Sequence, residues 1–520
     1  MKKLVAISLV LVMVLSLCAC GKKETKDSGG DTTNQTVSNE SKEGTATGEN
    51  TPAEIQTISL FGLPVTIPDS DTIIPELEKR AGVDLDITST GGDESLLVSR
   101  LAGGDIPDVF RVTTLSSLAS YKKDEVLLDL KPYLDKMPNV KNMFTEQQWA
   151  RVTFDGGIYG IPRRMEGNYG CWYIRHDWLD KLGVADPTNF NELLEVAKLM
   201  TTSDLDGNGK NDTYAVSGQY GATASTFGRG AFDGFWTAYG VTGPETIMIK
   251  DNQAVMSCTL PEFRLAVEEI RRFVEAGVVD PEILSNTNDS ITEKMSMGKA
   301  GICYGGWANY SKPAQAKILT AVFPEASWGP FKTEIKTDYG VSGASNSASG
   351  NDAVYAFNAD LVDEPEKLEA ALKLFDYIAT EECDNLLSFG IENEHYKVEN
   401  NTIVKLDKMD ELSYGWGVQF LGRDDMLYCM TKFADCADYI KYCAEDITIL
   451  QHYGQMVEKP EDINVSDIEA YVLEQVAQFM FGTQSMDKWD SFIDTLYKSY
   501  SLQRYIDVSN ESLKELGYIK

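Results

Sequence analysis

From Glu54 onward, short apolar runs with strand spacing are separated by stretches in which apolar residues recur every three or four positions. Ile55 to Leu60 reads as a strand, Ile73 to Arg80 as a short helix, and Val83-Asp84-Leu85-Asp86-Ile87 alternates with period two. Glu94 to Leu101 then reads as helix and Val109 to Val112 as strand. A βαβαβ opening of this kind predicts a parallel sheet covered by helices. Farther on, Thr188 is placed to cap a helix with Phe190, Leu193, Leu194 and Ala197 on one face. Pro261 at the first helical position, Phe263, Val267, Ile270 and Val274 on a face, and Gly277 at the end predict a second. Leu368, Ala371, Leu372 and Phe375 mark a third, and no internal repeat is visible. The expected class is α/β.

The first residues follow another pattern. Lys2 and Lys3 precede an uncharged apolar run from Leu4 to Leu17, at about 14 residues too short to span a bilayer, so residues 1–19 read as a signal peptide. The run ends in Leu17-Cys18-Ala19-Cys20, which resembles the bacterial lipobox. That resemblance implies cleavage before Cys20, acylation of its sulfur with a palmitate-type chain, and a lipid anchor; a secretory signal cut elsewhere, with Cys20 a bystander, is the alternative. Residues 20–53 are almost entirely Lys, Glu, Asp, Ser, Thr, Asn and Gly and cannot bury enough surface to offset ordering entropy, so they read as a flexible tether. No later segment has the uninterrupted apolar length of a membrane span.

Charge narrows the partners. The chain carries a formal net charge of −33, and loss of Lys2 and Lys3 with the signal peptide makes it more negative still. Such a field repels phosphate backbones, which argues against nucleic acid. Beyond Cys18 and Cys20 the cysteines are Cys171, Cys258, Cys303, Cys383, Cys429, Cys436 and Cys443, an odd number at scattered spacing that does not resemble a disulfide framework. Cys429, Cys436 and Cys443 recur every seventh residue, which on one helix would put them on one face about 10 Å apart, too far to bridge. They read as small core residues.

Three motif groups resemble a known family. Gly104-Asp105-Ile106-Pro107-Asp108-Val109, then Gly157-Ile158-Tyr159-Gly160-Ile161-Pro162-Arg163-Arg164, then Tyr173-Ile174-Arg175-His176-Asp177-Trp178-Leu179-Asp180-Lys181-Leu182-Gly183 with Pro187-Thr188, resemble the extracellular solute-binding lipoproteins of bacterial ABC importers, the group that includes the alginate- and complex-polysaccharide-binding proteins. Phe389-Gly390-Ile391-Glu392-Asn393-Glu394-His395-Tyr396 resembles a further segment, with Asn393 where the family has Gly; Phe481-Gly482-Thr483 and Trp489-Asp490-Ser491-Phe492 resemble its terminal helical region. The resemblance implies a two-lobe, type II periplasmic-binding-protein-like fold, with lobes discontinuous in sequence, a ligand cleft between them and hinge closure. The boundaries expected are 54–165 with about 310–375 for one lobe, and 166–309 with about 376–520 for the other. It also implies an oligosaccharide ligand, delivery to ABC permease subunits with their ATPase, no catalysis, a monomer, and a place on the outer face of the cell membrane.

One loop carries chemistry of its own. Asp204-Leu205-Asp206-Gly207-Asn208-Gly209-Lys210-Asn211-Asp212 puts side-chain oxygens of Asp204, Asp206, Asn208 and Asp212 at positions 1, 3, 5 and 9 of a calcium loop, the Lys210 carbonyl at 7 and glycine at 6. Position 12 is Ala215, so the bidentate glutamate is missing. A structural Ca²⁺ is the expectation, an Asp/Asn/Gly-rich turn the plain alternative.

The ligand site is sought where rings and glycines adjoin, because a sugar needs aromatic planes for its C–H faces and planar polar groups for its hydroxyls. Phe232-Asp233-Gly234-Phe235-Trp236, Tyr304-Gly305-Gly306-Trp307 and Tyr414-Gly415-Trp416-Gly417 qualify, nominating Asp233, Trp236, Trp307 and Trp416. Arg163, Arg164 and Tyr169 add donors and a ring, and His395 completes the set. For each tryptophan ordinary core burial competes with this role, and Trp178 and Trp489 are assigned to packing. A peptide or other solute is the second ligand class. A surface glycoside hydrolase is the enzyme alternative, but neither a Gly-x-Ser-x-Gly elbow, a His-Glu-x-x-His pair nor a Walker A loop occurs.

Overall fold

The computed structural model describes residues 54–164, 170–220, 230–306, 313–348, 353–412, 416–460 and 462–520. The signal peptide, Cys20 and the tether therefore lie outside the described residues, as do Tyr169 and Trp307.

Eight strands make two four-stranded sheets: β1 (Thr57–Leu63), β2 (Asp84–Ser89), β3 (Val109–Val112), β4 (Gly170–Arg175), β5 (Tyr214–Ser217), β6 (Ala300–Gly306), β7 (Trp328–Pro330) and β8 (Val354–Phe357). The first sheet has the order β8-β3-β1-β2 and the second β7-β4-β6-β5. In the first, β1 runs parallel to β2 and β3, and β8 pairs antiparallel with β3. In the second, β5 and β6 are parallel while β4 runs against both β6 and β7. The βαβαβ opening is observed, with helices Ile73–Ala81 and Ser95–Gly103 between its strands.

Each sheet has its own core. Around the first, Ile58, Leu60, Val109 and Phe110 pack with Leu368, Leu372 and Phe375 of helix Pro365–Ile378. The Phe375 ring lies 5.3 Å from both Tyr355 and Phe357. Burial of each such large apolar side chain contributes about 1.5–3 kcal/mol. Around the second, the faces of helices Phe190–Thr202 and Pro261–Glu275 meet helix Asp233–Ala238 through stacked rings: Phe190 on Phe235 at 4.8 Å and Trp236 on Phe263 at 4.7 Å. Trp178 and Trp489 are buried in this core. Asn189, one residue after Thr188, caps the first of these helices, and Thr188 bonds Glu192 instead.

Core membership crosses the expected lobe limits. Phe331, Ile335 and Ala344 pack with the second sheet, whereas Leu386, Leu387, Trp416, Phe420 and Leu421 pack with the first. The reason is connectivity: β7 is bonded to β4, and the strand Ala344–Ser347 pairs with Ile449–His452, before the chain returns to the first sheet at β8.

The single helix that the three seven-spaced cysteines suggested is broken into Asp425–Lys432, a 3-10 turn Ala434–Cys436, Ala437–Lys441 and a π turn Tyr442–Asp446. Cys429 and Cys436 pack beside Phe389 and Tyr396, while Cys443 reaches another cluster, its Sγ 3.4 Å from that of Cys171. All seven described cysteines are buried free thiols. Asn393, standing where the family pattern has glycine, has φ +65°, a left-handed conformation that Asn tolerates better than other side chains.

Candidate functional site

In an open sheet whose connections leave to both sides of one strand, the crevice at the carboxyl ends is the natural binding place. The first sheet has this arrangement: β1 sits between β2 and β3. At its carboxyl edge β1 ends through Gly62, φ +99°, where a Cβ would press on Arg111 at 3.3 Å. Beyond β3, Thr113 and Tyr121 both donate to the Glu94 carboxylate, Tyr121 at 3.2 Å. Burial, reinforced by Glu94, pushes the Tyr121 phenol up to about 12, so it remains a donor at neutral pH. Thr114 caps the helix Leu115–Lys123 at the same edge.

The corresponding edge of the second sheet is lined with glycine. Gly170 at the start of β4 pairs with Gly306 at the end of β6, and a Cβ on Gly170 would meet the Tyr304 ring at 2.9–3.2 Å. Gly218 follows β5, where a Cβ would overlap Ala231 at 2.5 Å. The end of β5 is held from below. Asp280 Oδ2 accepts from Ser217 Oγ at 2.6 Å, Lys294 Nζ at 2.7 Å and Asn286 Nδ2 at 2.9 Å, and Asn286 also donates to the Gly218 carbonyl at 2.9 Å. Beside it, Gln219, Tyr220, Asp233, Trp236 and Glu245 line a small cavity. Asp233 accepts from Ser345 Oγ at 3.0 Å, and burial raises its carboxyl to about 7.

The crossing between the sheets is tied by arginines. Arg163, 1% exposed, donates from Nε to Phe420 O at 2.9 Å and from Nη2 to Val418 O. Arg164 pairs with Asp384 at 2.8 Å and donates to Gly422 O at 2.9 Å. Tyr355 Oη donates to Gln419 O at 2.6 Å, and Ile161 bridges Tyr355. Four chain segments, 161–164, Tyr355, Asp384 and 418–422, are thereby fastened where the polypeptide passes between the cores.

Of the nominated ligand residues, then, Asp233 and Trp236 share one cavity wall, Trp236 stacked on Phe263 in the core. Trp416 is buried, its indole N–H donating at 2.9 Å to Asp71, which also accepts from the first amides of helix Ile73–Ala81. His395 is buried, its Nδ1 accepting from the Ile391 amide at 2.9 Å across the Gly390 turn. Arg163 and Arg164 hold backbone as described. Glu94, Thr113, Tyr121, Gln219 and Tyr220 are not among the nominated residues; the signal available for four of them is position, since Glu94 precedes a helix and Thr113, Gln219 and Tyr220 follow strands, whereas Tyr121 sits inside helix Leu115–Lys123.

In the 204–212 loop, Asp204 accepts from Gly209 N at 3.0 Å, Asp206 from Asn208 N at 3.3 Å and Asn208 Oδ1 from Lys210 N at 2.8 Å, with Gly207 and Gly209 both at positive φ. Asp206 Oδ2 and Asp212 Oδ1 converge on the Lys299 ammonium, at 2.7 and 2.9 Å. Among the described residues no three His, Cys, Asp or Glu side chains close on one point as a metal cage. Hard oxygens held by backbone turns, with an ammonium where two carboxylates meet, nonetheless fit a hard cation.

A family model described as bacterial extracellular solute-binding protein matches residues 70–382, more than half of the chain. The polygalacturonan/rhamnogalacturonan-binding protein YtcQ of Bacillus subtilis is 27% identical over 350 residues, 65% of this chain and 66% of that protein, just under two thirds of its length. Among solved structures, an EF-hand mutant of the S. pneumoniae ABC-transporter substrate-binding protein FusA in complex with fructo-nystose superposes with TM-score 0.68 at 19% identity, covering 89% of this chain and 99% of that one. The alginate-binding protein AlgQ2 without calcium ion gives TM-score 0.67 at 17% identity, over 89% and 98%. The fold is the two-lobe α/β fold of these binding proteins.

Proposed function

The chain belongs to the bacterial extracellular solute-binding protein family, and from that premise we propose that it captures an oligosaccharide outside the cell and passes it unaltered to an ABC permease and its ATPase. The lobes follow the cores: 54–161 with 354–421, and 170–347 with 447–520, the hinge being the arginine-tied crossing. Closure would bring the Glu94–Thr113–Tyr121 edge toward the glycine edge of the second sheet.

The observation that carries the reading is the pair of strand edges, one polar at Glu94, Thr113 and Tyr121, the other glycine-lined and packed on the Tyr304 ring and Ala231, which together offer hydroxyls and an aromatic plane of the kind a sugar needs. YtcQ and FusA, by their names and complexes, bind glycans, which supports a sugar over a peptide. Arg163 and Arg164 are committed to carbonyls and Asp384, so neither is assigned to an acidic sugar. A thermal-shift screen of the chain from Glu54 onward tests this. A ligand at 100 times its Kd adds about 2.7 kcal/mol; one set of neutral or acidic oligosaccharides should raise Tm and be recovered intact by chromatography. Stabilisation by peptides alone would overturn the sugar assignment, and hydrolysed product would restore the glycoside hydrolase.

As a lipid anchor, Cys20 would hold the protein at the membrane's outer face, where it would act as a monomer. Among the described residues no helix is long and apolar enough to cross a membrane. Cys20→Ala should leave the protein unprocessed or release it from membrane fractions; a mature, membrane-bound variant would remove the anchor.

Asp204, Asp206, Asn208, the Lys210 carbonyl and Asp212 would hold a structural Ca²⁺. Bound there, the ion would fix the connection from helix Phe190–Thr202 to β5.

A further inference from the structure

The 204–212 loop carries three aspartates but lacks a glutamate at its twelfth position, where Ala215 begins the buried part of β5. Its cation in this structure is supplied from elsewhere in the chain. Lys299 lies 87 residues beyond Asp212 and 93 beyond Asp206. It follows Gly298, which ends helix Asn288–Ser296 at φ +67°, and immediately precedes β6.

Its backbone is fixed independently of its side chain. Lys299 O accepts from Tyr214 N at 2.8 Å, and Ala300 is in register with Tyr214. The ammonium is thus delivered to the loop by the ladder between β5 and β6. The same two oxygens that hold it, Asp206 Oδ2 and Asp212 Oδ1, each also accept from Asn208 Nδ2 at 2.9 Å. Asp206 is 5% exposed at its side chain, so its charge is not left to solvent.

We propose that Lys299 is a built-in counter-ion of this loop: it holds the loop closed when calcium is absent and must yield Asp206 and Asp212 when calcium binds. The inference rests on the calcium reading and sets its consequences. A divalent ion and an ammonium compete for the same carboxylate oxygens, so Lys299 weakens the metal and spares the protein from depending on it. Without calcium, Asp206 and Asp212 keep a cation and β5 keeps its start. With calcium, the ammonium is displaced at the head of β6, the strand that ends in Gly306 at the glycine edge of the second sheet.

The test compares wild type with Lys299→Met, Lys299→Gln and Lys299→Arg, by calorimetric titration of chelated protein with CaCl₂ and by Tm with and without chelator. Lys299→Met and Lys299→Gln should bind calcium about tenfold more tightly than wild type, a gain of about 1.4 kcal/mol. Both should melt several degrees lower than wild type in chelator, and the deficit should vanish in calcium. Lys299→Arg, which keeps the charge, should track wild type. Calcium binding by wild type with unchanged or weaker binding by Lys299→Met and Lys299→Gln would overturn the counter-ion role and leave the calcium site standing. No calcium response in any of the four proteins would remove the site itself, and the competition with it. Should Lys299→Met fail to fold, Lys299→Gln, which retains a donor, carries the comparison alone.

Discussion

Replacement of Asp280 by alanine is expected to cost about 3–5 kcal/mol of stability, the usual result of removing one partner from a buried ionic network. Its side chain is fully buried. Oδ2 takes hydrogen bonds from Ser217, Asn286 and Lys294, and Oδ1 from the Glu282 amide. Alanine would leave the Ser217 hydroxyl and the Asn286 amide without this acceptor; Lys294 retains Glu282 at 2.8 Å, which places the cost toward the lower end. Asp280→Asn keeps the shape and loses the charge, and should cost about 1–2 kcal/mol, read by urea denaturation. The pH dependence has a defined sign. Burial alone would raise this carboxyl, but the bonds from Lys294, Ser217 and Asn286 outweigh it and hold it below the ordinary value of 3.8. Its contribution is accordingly present above pH 3.8 and lost as pH falls below that, so the gap between wild type and Asp280→Asn should close under strong acid. A constant gap down to acid unfolding would show that the network stabilises without its charge. Because Asn286 also holds the Gly218 carbonyl, ligand affinity should fall in Asp280→Ala even where the protein is folded.

The opening strands and helices were legible because alternation and helical spacing are local, and the chain from Thr57 to Val112 follows them closely. The rings were not. A tryptophan beside glycines suits both a ligand platform and a close-packed core, and Trp236 and Trp416 are in cores. Likewise Arg163-Arg164 gave the donors but not their acceptors, which come from residues 418–422 and Asp384, more than two hundred positions away. Period seven puts the three cysteines on one face only of a continuous helix, and the turn at Ala434–Cys436 interrupts it, although all three are buried as their size suggests. Lys299 has no local signature: only the pairing of β5 with β6 brings it to the calcium-type loop.

Asp233→Asn should act in the opposite direction, raising stability above neutral pH by about 2–4 kcal/mol. Asp233 is 3% exposed and opens the helix Asp233–Ala238. Burial dominates its environment and, with the nearby Glu245 charge, outweighs the hydrogen bonds from Ser345, so the carboxyl titrates at about 7 against an ordinary 3.8. In the unfolded chain it ionises near pH 4, while in the folded protein it keeps its proton until about pH 7. Folding therefore binds a proton through this window, and stability falls as pH rises from about 4 to about 7. Asparagine preserves the shape and an acceptor for Ser345 without ever carrying charge. The variant should match wild type near pH 4, pull ahead as pH rises, and hold a constant lead above about pH 7.5. Parallel Tm profiles across that range would mean that Asp233 is ionised and solvated in the folded protein. The same variant separates burial from ligand contact. If Asp233 only lines the inner wall beside Tyr220 and Trp236, oligosaccharide affinity should be unchanged and show no new pH dependence. If its carboxylate meets the ligand, affinity should fall in Asp233→Asn and wild-type binding should follow a titration near pH 7.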